Sequence, residues 1–106
     1  MHLSWPADER PAWRVRSVYV KPEVADAGER LDAAVELEEA LRASGKVCQP
    51  WVTLDGTAVT VSGLVKADSE REAALDALEL IGSVCAMTGC WLLGDLVRQT
   101  IQPWLH

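Results

Sequence analysis

The sequence of 106 residues predicts an α+β sandwich with the order β-α-β-β-α-β, a mixed sheet packed on two helices and a short C-terminal helix after them. Three observations carry that expectation. Two acidic stretches repeat apolar residues at helical spacing. Between them, "WVTLDGTAVTVSG" alternates on either side of Asp55-Gly56, which is the signal of a hairpin. Before the first helix and after the second stand short β-branched or mixed apolar runs of strand length. At this length the chain is read as one domain, residues 1–106.

Residues 1–12 hold two prolines and mixed charge and are expected to form an extended arm. "WRVRSVYV" (13–20) then alternates charged and apolar residues before turning β-branched, and Lys21-Pro22 closes it as a strand. In the first helix Asp26 caps, Glu29 is its reciprocal partner, and Ser44-Gly45 ends the run. Its expected buried stripe is Leu31, Ala34, Val35, Leu37 and Leu41.

With Asp55-Gly56 as a two-residue loop, Leu54 faces Thr57, Val52 faces Val59 and Trp51 faces Thr60. Val52, Leu54, Val59 and Val61 then share the core face, while Trp51, Thr53, Thr60, Ser62 and Leu64 fall on the other. Pro50 marks a strand start or an edge. The second helix opens with Ser69 and Glu72 as a capping box, buries Ala74, Leu75, Leu78 and Ile81, and stops at Gly82. "SVCAMTGCW" is the expected last strand, with Gly89 as a bulge. From there Leu93, Leu96, Val97, Ile101 and Trp104 return to helical spacing, with Pro103 limiting the segment.

Taken together, "ERLDAAVELEEAL", "DGTAVTVSGLV", "DSEREAALDALELIG" and "SVCAMTGCW" resemble a BON domain over residues 29–92. The resemblance sets structural glycines at Gly56 (the turn), Gly63 (the end of the second hairpin strand) and Gly82 (a helix C-terminus). It departs from the family in a hairpin one residue longer and in "GSV" where "GV" is usual. It implies a non-enzymatic module for binding or assembly. The alternative is a generic ferredoxin-like domain, an order used by small-molecule sensors and small enzymes.

Charge and composition narrow the function classes. The net charge is −6, and Arg10, Arg14, Arg16 and Lys21 outnumber Asp8 and Glu9 in the first 21 residues, so the rest is more acidic still. Such a body repels phosphate backbones and anionic lipid, which argues against nucleic acid and against membrane-surface contact. The start lacks a secretory pattern and no run is long enough to span a bilayer, so a cytoplasmic protein is expected unless it is cut from an exported precursor. His2 and His106 stand at the ends, so no catalytic residue is assigned. Cys48, Cys85 and Cys90 are odd in number and lack a second ligand pair, so reduced thiols, no metal and no cofactor are expected.

Two surfaces remain as candidates. Trp51 with Thr53, Thr60, Ser62 and Leu64 forms a ligand or partner patch, unless Trp13 or the C-terminal segment covers it. Leu93, Leu96, Val97, Ile101 and Trp104 form a stripe that either docks on the chain's own sheet or packs against a second copy. The partner expected is a homodimer mate or another protein.

Overall fold

A computed structural model describes residues 10–20, 27–88 and 93–104. Strand β1 (Ala12–Val20) leads to helix α1 (Ala27–Ser44), the hairpin β2 (Cys48–Asp55) and β3 (Ala58–Lys66), helix α2 (Glu70–Thr88) and strand β4 (Asp95–Pro103). The sheet order is β2-β3-β1-β4. This is a ferredoxin-like sandwich: one four-stranded sheet with both helices on one face. The sheet is antiparallel throughout rather than mixed. The crossover through α1 does set β2 parallel to β1, but β3 lies between them, so every hydrogen-bonded neighbour runs the other way.

The C-terminal third differs most from the sequence reading. Residues 83–88 are not a strand; α2 runs through Gly82 to Thr88 because Ile81 and Val84 prolong its buried stripe. A mid-helix glycine costs about 1 kcal/mol against alanine, and burial of Val84 offsets this. Gly82 therefore ends nothing, and a Cβ there would meet no atom within 4 Å. Cys85 sits on this helix, and Cys90 and Gly89 lie outside the described residues. The expected C-terminal helix is β4 instead. Its apolar spacing satisfies a helix, yet it equally satisfies a strand with one bulge, and the register of β4 on β1 does shift between Val18 and Tyr19.

Both helices bury a different stripe from the one expected. In α1 the buried residues are Ala33, Ala34, Leu37 and Leu41, with Leu31 and Val35 outside. In α2 they are Ala73, Ala77, Ile81 and Val84, and Leu75 faces outward. Small alanines let α2 lie close on β1 and β3, which outweighs the greater area that Leu75 would bury. The helix ends agree better: Gly45 (φ 70) follows α1, and Ser69 Oγ accepts from the Glu72 amide at 3.2 Å. Asp26 and Lys21-Pro22 lie outside the described residues.

In the hairpin the two turn residues are Gly56 and Thr57, with Asp55 opposite Ala58, Leu54 opposite Val59 and Trp51 opposite Ser62. The pairing is thus moved by two residues from the expected one. A shift of two keeps every side chain on its face, so the core assignment stands although the partners change. Gly56 has φ 59, the left-handed conformation that the turn needs. Gly63 lies inside β3 rather than at its end, and a Cβ there would collide with the Val47 side chain. Close approach, not strand termination, is its use. Pro50 sits on edge strand β2 beside an irregularity where Gln49 takes φ 52.

Candidate functional site

The helix-facing side of the sheet is aliphatic along β2 and β3, through Val52, Leu54, Val59, Val61 and Val65. It becomes polar where β1 meets β4. Alternation along β1 sends Ser17 and Tyr19 toward α2, and pairing sets Gln99 of β4 directly opposite Ser17. Ser17 is fully buried and Tyr19 is 8% exposed. The Gln99 amide donates to Ser17 Oγ at 3.5 Å and to the Ala74 carbonyl of α2 at 3.2 Å. It thereby ties helix to strand.

Burial raises the Tyr19 phenol above its ordinary pKa of 10.0; the nearby Cys85 adds to the rise and a hydrogen bond with Ser17 opposes it. Tyr19 is therefore a neutral phenol at physiological pH. A buried hydroxyl without a partner is costly in an aliphatic core, and here the groups partner one another. Chemically, the cluster offers a phenol, a hydroxyl, a carboxamide and a thiol on one flank. Half-buried Gln99 stands at its outer side, next to Leu96 (41% exposed) and Val97 (59%).

Sequence reasoning missed this set. The signal available is the interruption of an apolar face by Ser17 within "VRSVYV" and by Gln99 within "VRQTI", but the helical spacing of the apolar residues from Leu93 to Trp104 hides the strand pairing that sets the two opposite each other. A separate apolar cavity of about 20 Å³ lies between Val15, Val47, Val61, Gly63, Ala77 and Ile81. It has room for one water-sized occupant. Among the described residues no three His, Cys, Asp or Glu side chains gather as a metal site. Among the described residues, Cys48 and Cys85 form no disulfide with one another.

The expected ligand patch does share one face, opposite the helices: Trp51 and Thr53 on β2 beside Thr60 and Ser62 on β3. Trp51 is 63% exposed. Trp13 does not cover it, because Trp13 faces the helix side and its indole donates to the Ala67 carbonyl at 2.9 Å. Leu64 is on the patch face but only 1% exposed, so it adds nothing accessible. The C-terminal stripe does not form a single patch. Leu93 and Ile101 pack against the core, Leu96 and Val97 are exposed, and Trp104 lies under the Arg14 guanidinium, 5.1 Å from its ring centre. Strand alternation disperses residues that a helix would have aligned. No helix among the described residues is long and apolar enough to cross a membrane.

No protein-family model matches the chain, and no curated protein matches it. Solved structures do. One is a Chloroflexus aurantiacus J-10-fl protein assigned as an antibiotic biosynthesis monooxygenase, 15% identical, with a TM-score of 0.55 over 90% of this chain and 94% of that one. Another is MupZ from Pseudomonas fluorescens, 12% identical, with a TM-score of 0.48 over 88% of this chain and 71% of that one. The first likeness establishes the ferredoxin-like fold.

Proposed function

We propose that this chain is a small-molecule-binding domain, a sensor or a small enzyme, whose ligand occupies the flank between α2 and β4. The observation that carries the reading is the convergence of Ser17, Tyr19, Cys85 and Gln99 in a core that is otherwise aliphatic. Such a set suits an apolar molecule bearing one carbonyl or hydroxyl: the apolar body lies along Leu96 and Val97, and the Tyr19 phenol or the Gln99 amide donates to its oxygen. The fold shared with a protein assigned as a monooxygenase supports a small-molecule ligand, and it specifies no reaction here.

The test is amide NMR of the isotopically labelled chain titrated with 1-tetralone and 2-naphthol. Saturable shifts centred on residues 17, 19, 85 and 99, weakened about tenfold (about 1.4 kcal/mol) in Gln99→Leu, are the expected result. Absence of shifts on this flank at millimolar probe would sink the proposal.

A second reading is a non-catalytic module for binding or assembly, as the BON resemblance implies. Exposure of Trp51 favours it, because a large indole left in water marks a contact surface.

A further inference from the structure

The core between sheet and helices divides into two clusters. Leu41, Val61 and Ile81 belong to one, and Val15, Val65 and Ala77 to the other. The apolar cavity of about 20 Å³ lies on the seam between them. A single position opens that seam. Gly63 stands between Val61 and Val65 in the helix-facing row of β3, opposite Val15, and supplies no side chain there. Val47 takes part of the space instead. It comes from the connection 45–47, packs against both clusters, and lies where a side chain at position 63 would stand.

The backbone that carries Val47 is strained. Gly45 (φ 70) and Gln49 (φ 52) flank it two residues away on either side, and both are left-handed. Glycine takes that conformation freely, whereas glutamine adopts it at a cost. Beside Gln49 the β2–β3 pairing loses its regular register, between Cys48 and Trp51. Val47 is thus held on a short strap with an irregular ladder at its far end. Strain of this kind gathers at ligand clamps and switch segments. Val47, Gly63 and Leu80 are half-buried, so the seam here lies one side chain from solvent. Filling the seam needs only a side chain at position 63. A glycine there, with a valine brought in from a strap, leaves the filler removable.

We propose that Val47 is a gate and that the seam beneath it receives the end of an unbranched aliphatic chain. The side chains around the void are aliphatic and offer none of the hydrogen-bond partners that a buried water needs, so the space suits hydrocarbon. When the strap swings outward, the room left by the Val47 isopropyl group joins the one water-sized space. Together they hold roughly four carbon atoms. A straight chain enters through a gap one side chain wide, and a ring does not. This site is separate from the α2–β4 flank and does not depend on it.

Methyl NMR of the full chain, titrated with straight-chain alcohols from 1-propanol to 1-octanol, tests it. Saturable shifts should centre on Val47, Val61, Val65 and Ile81. Affinity should rise about fourfold per methylene, then level off after roughly the fourth carbon, and cyclohexanol should not compete with 1-pentanol. Val47→Ala should bind 1-pentanol about tenfold tighter, the gain when a site open about one-tenth of the time is held open. Val47→Ile, whose extra methylene fills the remaining void, should bind about fourfold more weakly, and it keeps the test available if the alanine variant does not fold. Three results overturn the proposal: affinity that climbs without a break to 1-octanol, equal affinities in wild type and both variants, or no saturable shift in the wild type at millimolar 1-pentanol. Shifts confined to residues 17, 19, 85 and 99 would also overturn it while supporting the ligand flank, so the two readings fail separately.

Discussion

On the α1–β2 flank, Leu37 and Leu41 are almost wholly buried with Val59 and Val61, and the Glu38 carboxylate accepts a 3.0 Å hydrogen bond from the Val52 amide. On the α2–β4 flank, α2 offers small alanines, a glutamine bridges strand and helix, and Leu96 and Val97 stay in water. The first flank is closed by apolar area and has its edge blocked by a helix side chain, Pro50 and a bulge. The second is closed by polar contacts and keeps exposed apolar groups along its edge. The same two-layer fold thus has one side specialised for stability and another left adaptable, which is where a ligand is proposed.

The largest expected effect is on the closed flank. Leu37→Ala removes a side chain with no exposed area and should cost about 3 kcal/mol, lowering the melting temperature by on the order of 15 °C. Gln99→Ala, measured in the same way, should cost no more than about 1 kcal/mol. If the two costs are equal, the flanks do not differ as described.

Next is Gly63→Ala, where the new methyl meets Val47 and should destabilise by about 1–3 kcal/mol. In a Val47→Ala background much of that cost should disappear, and a double-mutant cycle by urea denaturation checks the coupling. Glu38→Ala then leaves the half-buried Val52 amide without its acceptor, a loss of about 1 kcal/mol. Glu38→Gln keeps an acceptor and should recover most of it.

The smallest effect at neutral pH concerns Tyr19. Its pKa is raised in the folded state, so below about pH 10 both folded and unfolded chains hold the proton and stability is unaffected by it. Above pH 10 the unfolded chain ionises first and binds fewer protons, so stability falls as pH rises toward the folded value. Equilibrium denaturation between pH 9 and 11 should show this fall in the wild type and a shallower one in Tyr19→Phe. Equal slopes would place the phenol in water.

The sequence by itself determined the local structure as far as Gly82. Capping residues and helical spacing mark both helices, Asp55-Gly56 marks the hairpin, and period-two alternation assigns Trp51, Thr53, Thr60 and Ser62 to one face even with the pairing moved by two. These are features of neighbouring residues, and their physics is contained in a window of ten or so positions. Tertiary structure alone decided the rest. Which helix stripe is buried depended on how closely alanines let α2 approach the sheet, and whether residues 95–103 became strand or helix depended on β1 offering an unpaired edge. The candidate site was decided at the same point, because Ser17 and Gln99 are 82 residues apart and meet only when β4 pairs with β1. A one-dimensional pattern can show that a position faces a core, but which distant residue shares that position is set by the order of strands in the sheet.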